Sequence, residues 1–340
     1  MDLNPSDEQH QLIDAFGALY AKESAPERVR AAEPLGFDRK LWDQLRETGV
    51  VAMSIDEAHG GWGASLLDLA LVAEQHGRSV APAPLIETQV AARLLGRLDG
   101  PAAAVALEAA LEGTSLVTIG LTPAKPAIAR LVPAGAIADQ VIVRRDGDLV
   151  LANIGDDRVV PENAGSMPLA DVDVSGGAVL CSGSDAIAAF DAALDDWLTL
   201  TASALVGIAA RSLEIGVEYV KERNAFGQQI GAFQAIAHRL ADSAAAVDGA
   251  QLLAREAAWA HGEDPARFAE LAPMAFAYAA ETARDASYRA LHFHGGYGFM
   301  LEYDIQLYYR RARAWAGVGM DTRSAYRRVA DARYGRVGAR

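Results

Sequence analysis

Three long helical stretches follow one another with almost no chain between them, and that run constrains the fold more than any other feature of the sequence. Apolar residues recur at helical spacing over 187–223, 233–261 and 265–293. Alanine is abundant in all three, which favours helix and lets neighbouring helices approach closely. Long helices joined by short breaks must lie side by side, so residues 185–340 are expected to form a helical bundle.

The chain before the bundle divides in two. Residues 1–114 read as mostly helical. Ser6-Asp7-Glu8 looks like the cap of an amphipathic helix with Leu12, Phe16 and Leu19 on one face. Phe37-Asp38 precedes a second helix with Leu41, Trp42, Leu45 and Val50. A glycine-rich loop, His59-Gly60-Gly61-Trp62-Gly63, leads into a helix over 66–76. Ala81-Pro82-Ala83-Pro84 is a stiff connector, because proline fixes φ and disfavours helix before it. Helix then resumes over 87–98. Residues 115–184 are different, being rich in Val, Ile, Gly and Pro. Residues 115–119 read as a strand. Residues 140–144 and 149–151, joined at Asp146-Gly147, read as a β-hairpin. Residues 159–160 and 172–174 read as further short strands. The expected architecture is α+β and mainly α: a helical part, a reduced antiparallel β domain, and a bundle.

Composition narrows the function. The formal net charge of −14 argues against a nucleic-acid partner, which needs a basic surface. An anionic cofactor would need a local cluster of Arg, Lys or helix N-termini. No run of about 18 apolar residues is free of charge, so no membrane span is expected. Met1-Asp2-Leu3-Asn4-Pro5 has neither the basic nor the apolar region of a signal peptide. The single cysteine, Cys181, permits no disulfide framework and reads as structural, which fits a cytoplasmic location. The seven histidines suggest no metal site. His292 and His294 diverge on a helix, and no Cys or acid completes a ligand set.

The most informative stretch lies between the first two long helices: Lys221-Glu222-Arg223-Asn224-Ala225-Phe226-Gly227-Gln228-Gln229-Ile230, then Phe233-Gln234-Ala235. An Arg at a helix junction with Phe three residues on can grip a phosphate and cover a ring. The same spacing also allows Arg223 to pair with a surface acid and Phe226 to be core. A second stretch runs His292-Phe293-His294-Gly295-Gly296-Tyr297-Gly298-Phe299, then Glu302-Tyr303 and Leu307-Tyr308-Tyr309-Arg310-Arg311-Ala312.

These motifs resemble those of the acyl-CoA dehydrogenase family. The first is similar to its R-x-x-F-G-x-x-I-x-x-F-Q signature. The second is similar to its Q-x-x-G-G-x-G-[FY] loop and the segment after it, with His292 where members usually have Gln. Leu41-Trp42 with Leu45, and Glu57 through Gly63, resemble L-W-x-x-L … E-x-x-G-G-x-G. Arg78 and Ala81 through Leu85 resemble a version found among bacterial steroid- and fatty-acid-degrading members. The resemblance covers nearly the whole chain. It implies FAD as cofactor and α,β-dehydrogenation of an acyl-CoA thioester: a carboxylate takes the α-proton and the flavin accepts hydride. It also implies that Arg223, Phe226, Gly227, Gln234, His292, Gly295 and Gly296 contact FAD held by a neighbouring subunit.

The departures from the family form a pattern. One location of the family's catalytic Glu, after the R-x-A segment, falls on Gly319. The other, on the helix before Arg223, falls on Trp197. Neither can take a proton, so no catalytic residue is assigned. Asp195, Asp196 and Asp321 are the nearest carboxylates, and helical phase turns a neighbour about 100° away. In the middle region, Leu121-Thr122-Pro123-Ala124-Lys125 keeps only a trace of the T-E-P-x-x-G-S-D flavin loop. No Trp lies between Gly113 and Leu194 to form the later one. The chain thus keeps residues that reach a partner's FAD and lacks those that cradle its own. The resemblance implies the non-catalytic subunit of an α2β2 heterotetramer, paired with a full-length acyl-CoA dehydrogenase, with electron-transferring flavoprotein as the family's usual acceptor. Two alternatives stay open: a complete homo-oligomeric dehydrogenase with a displaced base, and a non-redox acyl-CoA-binding or scaffold protein on the same fold.

Overall fold

The computed structural model describes residues 3–335. Six helices come first: α1 (Asp7–Glu23), α2 (Pro26–Ala31), α3 (Arg39–Glu47), α4 (Leu66–Arg78), α5 (Leu85–Gly96) and α6 (Pro101–Glu112). Local chemistry sets several of their starts. Ser6 Oγ accepts from Gln9 N at 3.2 Å while Gln9 Oε1 accepts from Ser6 N at 3.0 Å, a reciprocal capping box. Ser65 and Asp68 repeat it at the start of α4, and Asp38 caps α3 through Leu41 N at 3.1 Å. Each cap satisfies backbone donors that the helix leaves open and contributes about 1 kcal/mol. Phe16, Tyr20, Leu41, Trp42, Leu45, Leu69 and Val72 are buried between these helices.

Six strands follow: β1 (Val117–Ile119), β2 (Ile128–Val132), β3 (Gln140–Arg145), β4 (Asp148–Asn153), β5 (Ala170–Asp173) and β6 (Ala178–Ser182). β3 and β4 pair antiparallel from Arg145↔Asp148 to Gln140↔Asn153, turning at Asp146, whose φ is +56°. The four-stranded sheet has the order β1-β3-β4-β6, while β2 and β5 form a separate antiparallel pair. The expectation of an all-antiparallel domain needs correction, because β1 runs parallel to β3, with Val117 opposite Gln140. The chain leaves β1, builds β2 in the other sheet, and re-enters beside β1 in the same direction. A parallel pair needs such a crossover, whereas a tight turn forces antiparallel pairing.

The rest is helical: α7 (Gly183–Glu222), α8 (Gln234–Glu263), α9 (Pro265–Phe293), α10 (Ile305–Trp315) and α11 (Thr322–Tyr334). A two-residue-strand hairpin, β7 (Asn224–Ala225) with β8 (Gln228–Gln229), separates α7 from α8. The whole is mostly helical with a small sheet domain. At 40 residues, α7 is about 60 Å long and is the axis of the bundle. By length and composition it could cross a membrane, but 67% of its most apolar window is buried in this fold. It meets α4 through glycines. A Cβ on Gly77 would come within 1.8 Å of Ala204 O, and one on Gly207 within 2.0 Å of Glu74 O. Two glycines on opposite helices therefore let the backbones touch, and the N-terminal helices lock onto the bundle there.

Candidate active-site cavity and flavin-facing surface

The cavity that matters most lies where the three parts of the chain meet. The α4–α5 connector supplies Val80 through Pro84, and α5 supplies Ile86 and Glu87. Pro133, Ala134 and Ser166 through Pro168 come from the β part, Trp197 and Thr201 from α7, and Arg311 and Trp315 from α10. Its free volume is about 60 Å³, far below the range of about 300–1,000 Å³ common for small-molecule sites. Bulky side chains fill it. Trp197 is almost fully buried and tilts against Phe276, with ring centroids 5.8 Å apart. Trp315 stacks on His76 at 5.5 Å, and His76 Nδ1 lies 3.2 Å from the Tyr20 hydroxyl. Burial pushes the His76 imidazole down to about 3, so it stays neutral. Arg311 pairs with Glu33 at 2.5 Å, a carboxylate it shares with Arg310.

Trp197 thus stands in the cavity wall at one of the two positions where a carboxylate was expected. Gly319 is just as unsuited to a carboxylate. Its φ is +75°, and a Cβ there would lie 2.7 Å from Leu121 Cβ. A glutamate would need both a strained backbone and a displaced loop.

The three neighbouring aspartates are engaged elsewhere. Asp195 pairs with Arg328 at 2.5 Å; burial pushes its carboxyl up to about 6, against the pull of Arg328. Asp196 is bound by Arg93 at 2.9 Å and Arg97 at 2.7 Å, with His261 Nε2 at 3.7 Å. Burial would raise its carboxyl, but the two guanidinium groups outweigh that and hold it below the usual range. Asp321 caps α11 by accepting from Ser324 N at 2.7 Å, which lowers its carboxyl. None of the three lines the cavity.

One acid does line it, and sequence reasoning missed it. Glu87, in the first turn of α5, is half-buried on the cavity wall. Burial pushes its carboxyl up to about 7, against the smaller pull of its own backbone N–H and the Trp197 indole. Its only sequence signal is a carboxylate among Leu85, Ile86, Val90 and Leu94, all buried. His76 and Arg311 also reach the cavity from segments far apart in sequence, and no single motif could announce them together.

The motif residues between α7 and α8 form a projecting finger. Phe226 (φ +54°) and Gly227 (φ +81°) are the two turn residues between β7 and β8. Positive φ at both positions matches the right-handed twist of a two-residue hairpin. Glycine suits such a position; phenylalanine does not, so its backbone is held against its preference. Phe226 is 95% exposed, and its one ring–ring contact among the described residues is edge-on to Phe233, 6.1 Å away. The core reading of Phe226 is therefore excluded. Arg223, the C-cap of α7, is exposed and makes no ion pair among the described residues. Gln234, the first residue of α8, is exposed beside them.

At the far end of α9, His292 is exposed and Gly295 and Gly296 open the next turn. A Cβ on Gly227, Gly295 or Gly296 would meet nothing within 4 Å. Gly295 has φ +61°, which explains it locally, but Gly296 has no internal reason to be glycine. The open space above these glycines suits the close approach of a ligand or another chain. Together with Arg223, which makes no ion pair among the described residues, this surface offers positive charge and open backbone to a phosphate-bearing ligand. No group of three or more His, Cys, Asp or Glu capable of holding a metal occurs among the described residues.

The order of helical part, small sheet domain and helical bundle, with a cavity where the three meet, is the arrangement to compare with known proteins. Residues 6–98 match the profile of the acyl-CoA dehydrogenase N-terminal domain, and residues 190–318 match that of the acyl-CoA dehydrogenase C-terminal domain. The chain is 33% identical over 330 residues to acyl-CoA dehydrogenase IpdE2 of Mycolicibacterium smegmatis, covering 95% of this chain and 98% of that one. It is 32% identical to acyl-CoA dehydrogenase IpdE2 of Mycobacterium tuberculosis over 96% of this chain and 98% of that one. Among solved structures, a chain of the ChsE4-ChsE5 complex from Mycobacterium tuberculosis superposes with a TM-score of 0.88 at 23% identity, covering 99% of this chain and 100% of that one. This chain belongs to the acyl-CoA dehydrogenase family, a class of oxidoreductases.

Proposed function

We propose that this chain is the base-lacking, FAD-contacting subunit of a heteromeric acyl-CoA dehydrogenase, paired two-and-two with an unlike, full-length family member. The observation that supports this reading is Trp197: the resemblance puts a carboxylate at this position, and an indole stands there in the wall of a cavity with about 60 Å³ free. That space cannot take an acyl chain together with a flavin ring. A bound FAD would accept hydride from the acyl β-carbon; the base and the acyl pocket then belong to the partner. This chain's part is to bind and orient: Arg223 toward the diphosphate, Phe226 against the flavin side, and Gly295 with Gly296 admitting the nucleotide end. Two-component assemblies occur on this fold, as the ChsE4-ChsE5 complex illustrates. Another solved neighbour is a variant of a steroid ACAD, which makes steroid-derived acyl-CoA the first substrate class to try. Electron-transferring flavoprotein is the expected acceptor, and the cytoplasm the expected location.

The test is the visible spectrum of the purified chain, made alone and with an unlike family member from the same genome. A colourless lone chain and a yellow, active pair support the proposal. One observation favours a second reading, a homo-oligomeric dehydrogenase with a displaced base: the Glu87 carboxyl on the same cavity wall. That reading requires a yellow lone chain, bleached by acyl-CoA, whose bleaching is lost in Glu87→Gln.

A further inference from the structure

His292 departs from the family's glutamine, and its surroundings explain what the change does. It lies one turn beyond Tyr288 on the same face of α9. The two rings are nearly parallel, 26° apart in plane and 6.0 Å between centroids. Both are exposed, Tyr288 at 51%. Tyr309 of α10 stands against Tyr288 at 6.3 Å, with the Arg313 guanidinium 5.7 Å over its ring. The result is an aromatic shelf with a positive edge, ending at the open turn of Gly295 and Gly296. Nothing in the described chain covers it. A glutamine at position 292 would offer an amide to a polar edge; an imidazole in register with a phenol offers a flat face.

We infer that Tyr288 and His292 form a stacking platform for the adenine ring of a dinucleotide held at this surface. The inference rests on the reading that this chain contacts FAD, and deepens it. A purine presents a flat π face to such rings, and the contact needs no particular hydrogen-bond pattern. The diphosphate then extends along Gly295 and Gly296, where backbone N–H groups can be approached without side-chain hindrance. Stacking replaces the polar contact that a glutamine would supply.

The experiment uses the co-produced pair, stripped of flavin and retitrated with FAD or with FMN, which carries the same flavin and phosphate but no adenosine. His292→Ala and Tyr288→Ala should weaken FAD binding about tenfold, the scale of one lost base–aromatic stack, and leave FMN binding unchanged. His292→Phe should retain FAD as the wild type does, because it keeps the face and loses only the nitrogens. Equal losses for FAD and FMN, or unchanged FAD binding in both alanine variants, would overturn the platform while leaving the FAD-contacting role in place. Disassembly of the alanine variants on size-exclusion chromatography would assign the shelf to the partner's surface and also overturn it. A wild-type pair without flavin would overturn the broader reading as well.

Discussion

Asp196 Oδ2 sits 2.9 Å from Arg93 Nε and 2.7 Å from Arg97 Nη2, so the acid next to Trp197 serves the junction of α5 and α7 rather than the cavity. Removing the carboxylate would leave two guanidinium groups, one nearly buried, without their counter-charge. Asp196→Ala should cost about 3–5 kcal/mol of stability by urea unfolding, and it should not change how the pair handles acyl-CoA once folded.

Glu87 should make stability depend on pH in an unusual direction. Its folded carboxyl is raised to about 7, above the usual unfolded value near 4.3. The folded state therefore holds the proton more tightly, so stability is greatest below that lower value and falls as pH rises toward 7. Glu87→Gln should flatten this slope and raise the unfolding midpoint at pH 8 by an amount worth about 1–3 kcal/mol. Urea titrations at pH 5 and pH 8 decide it, with equal slopes in variant and wild type counting against the assignment.

Phe226→Ala separates folding from assembly. The ring is 95% exposed in the single chain, so the lone variant should unfold within about 0.5 kcal/mol of wild type. In the co-produced pair, the same change should lower flavin content, read as the ratio of visible to protein absorbance. An unaltered ratio would remove Phe226 from the flavin contact.

Gly207→Ala probes the crossing of α4 and α7. The new Cβ would fall 2.0 Å from Glu74 O, a backbone atom that cannot swing away. The helices must separate, at a cost of about 3 kcal/mol, visible as a fall in thermal midpoint. Alanine at Gly147, where a Cβ meets nothing within 4 Å, is the control.

Much of this fold is legible in the sequence where a rule acts locally. The stretch 265–293 coincides with α9, since proline opens it and the apolar period runs unbroken. Asp146-Gly147 marks the β3–β4 turn where the structure has it. The parallel pairing of β1 with β3 escapes, because strand order depends on a crossover that leaves no periodic mark. The β7–β8 finger also escapes, since strands of two residues are too short to show alternation. Helical phase explains Asp195 and Asp196: they neighbour Trp197 in sequence but pair with Arg328, and with Arg93 and Arg97, away from the cavity. Glu87 stays hidden because the cavity is assembled from six separated segments, and only folding brings its wall together.

A phenyl ring standing free in water at the tip of a hairpin is also a cost of expression. If the chain pairs as proposed, each copy made in excess of its mate would display that apolar tip, and contact between copies would compete with pairing. Under the proposed pairing, matched synthesis of the two subunits would follow from one side chain, and the soluble yield of the lone chain should rise when Phe226 is replaced by serine.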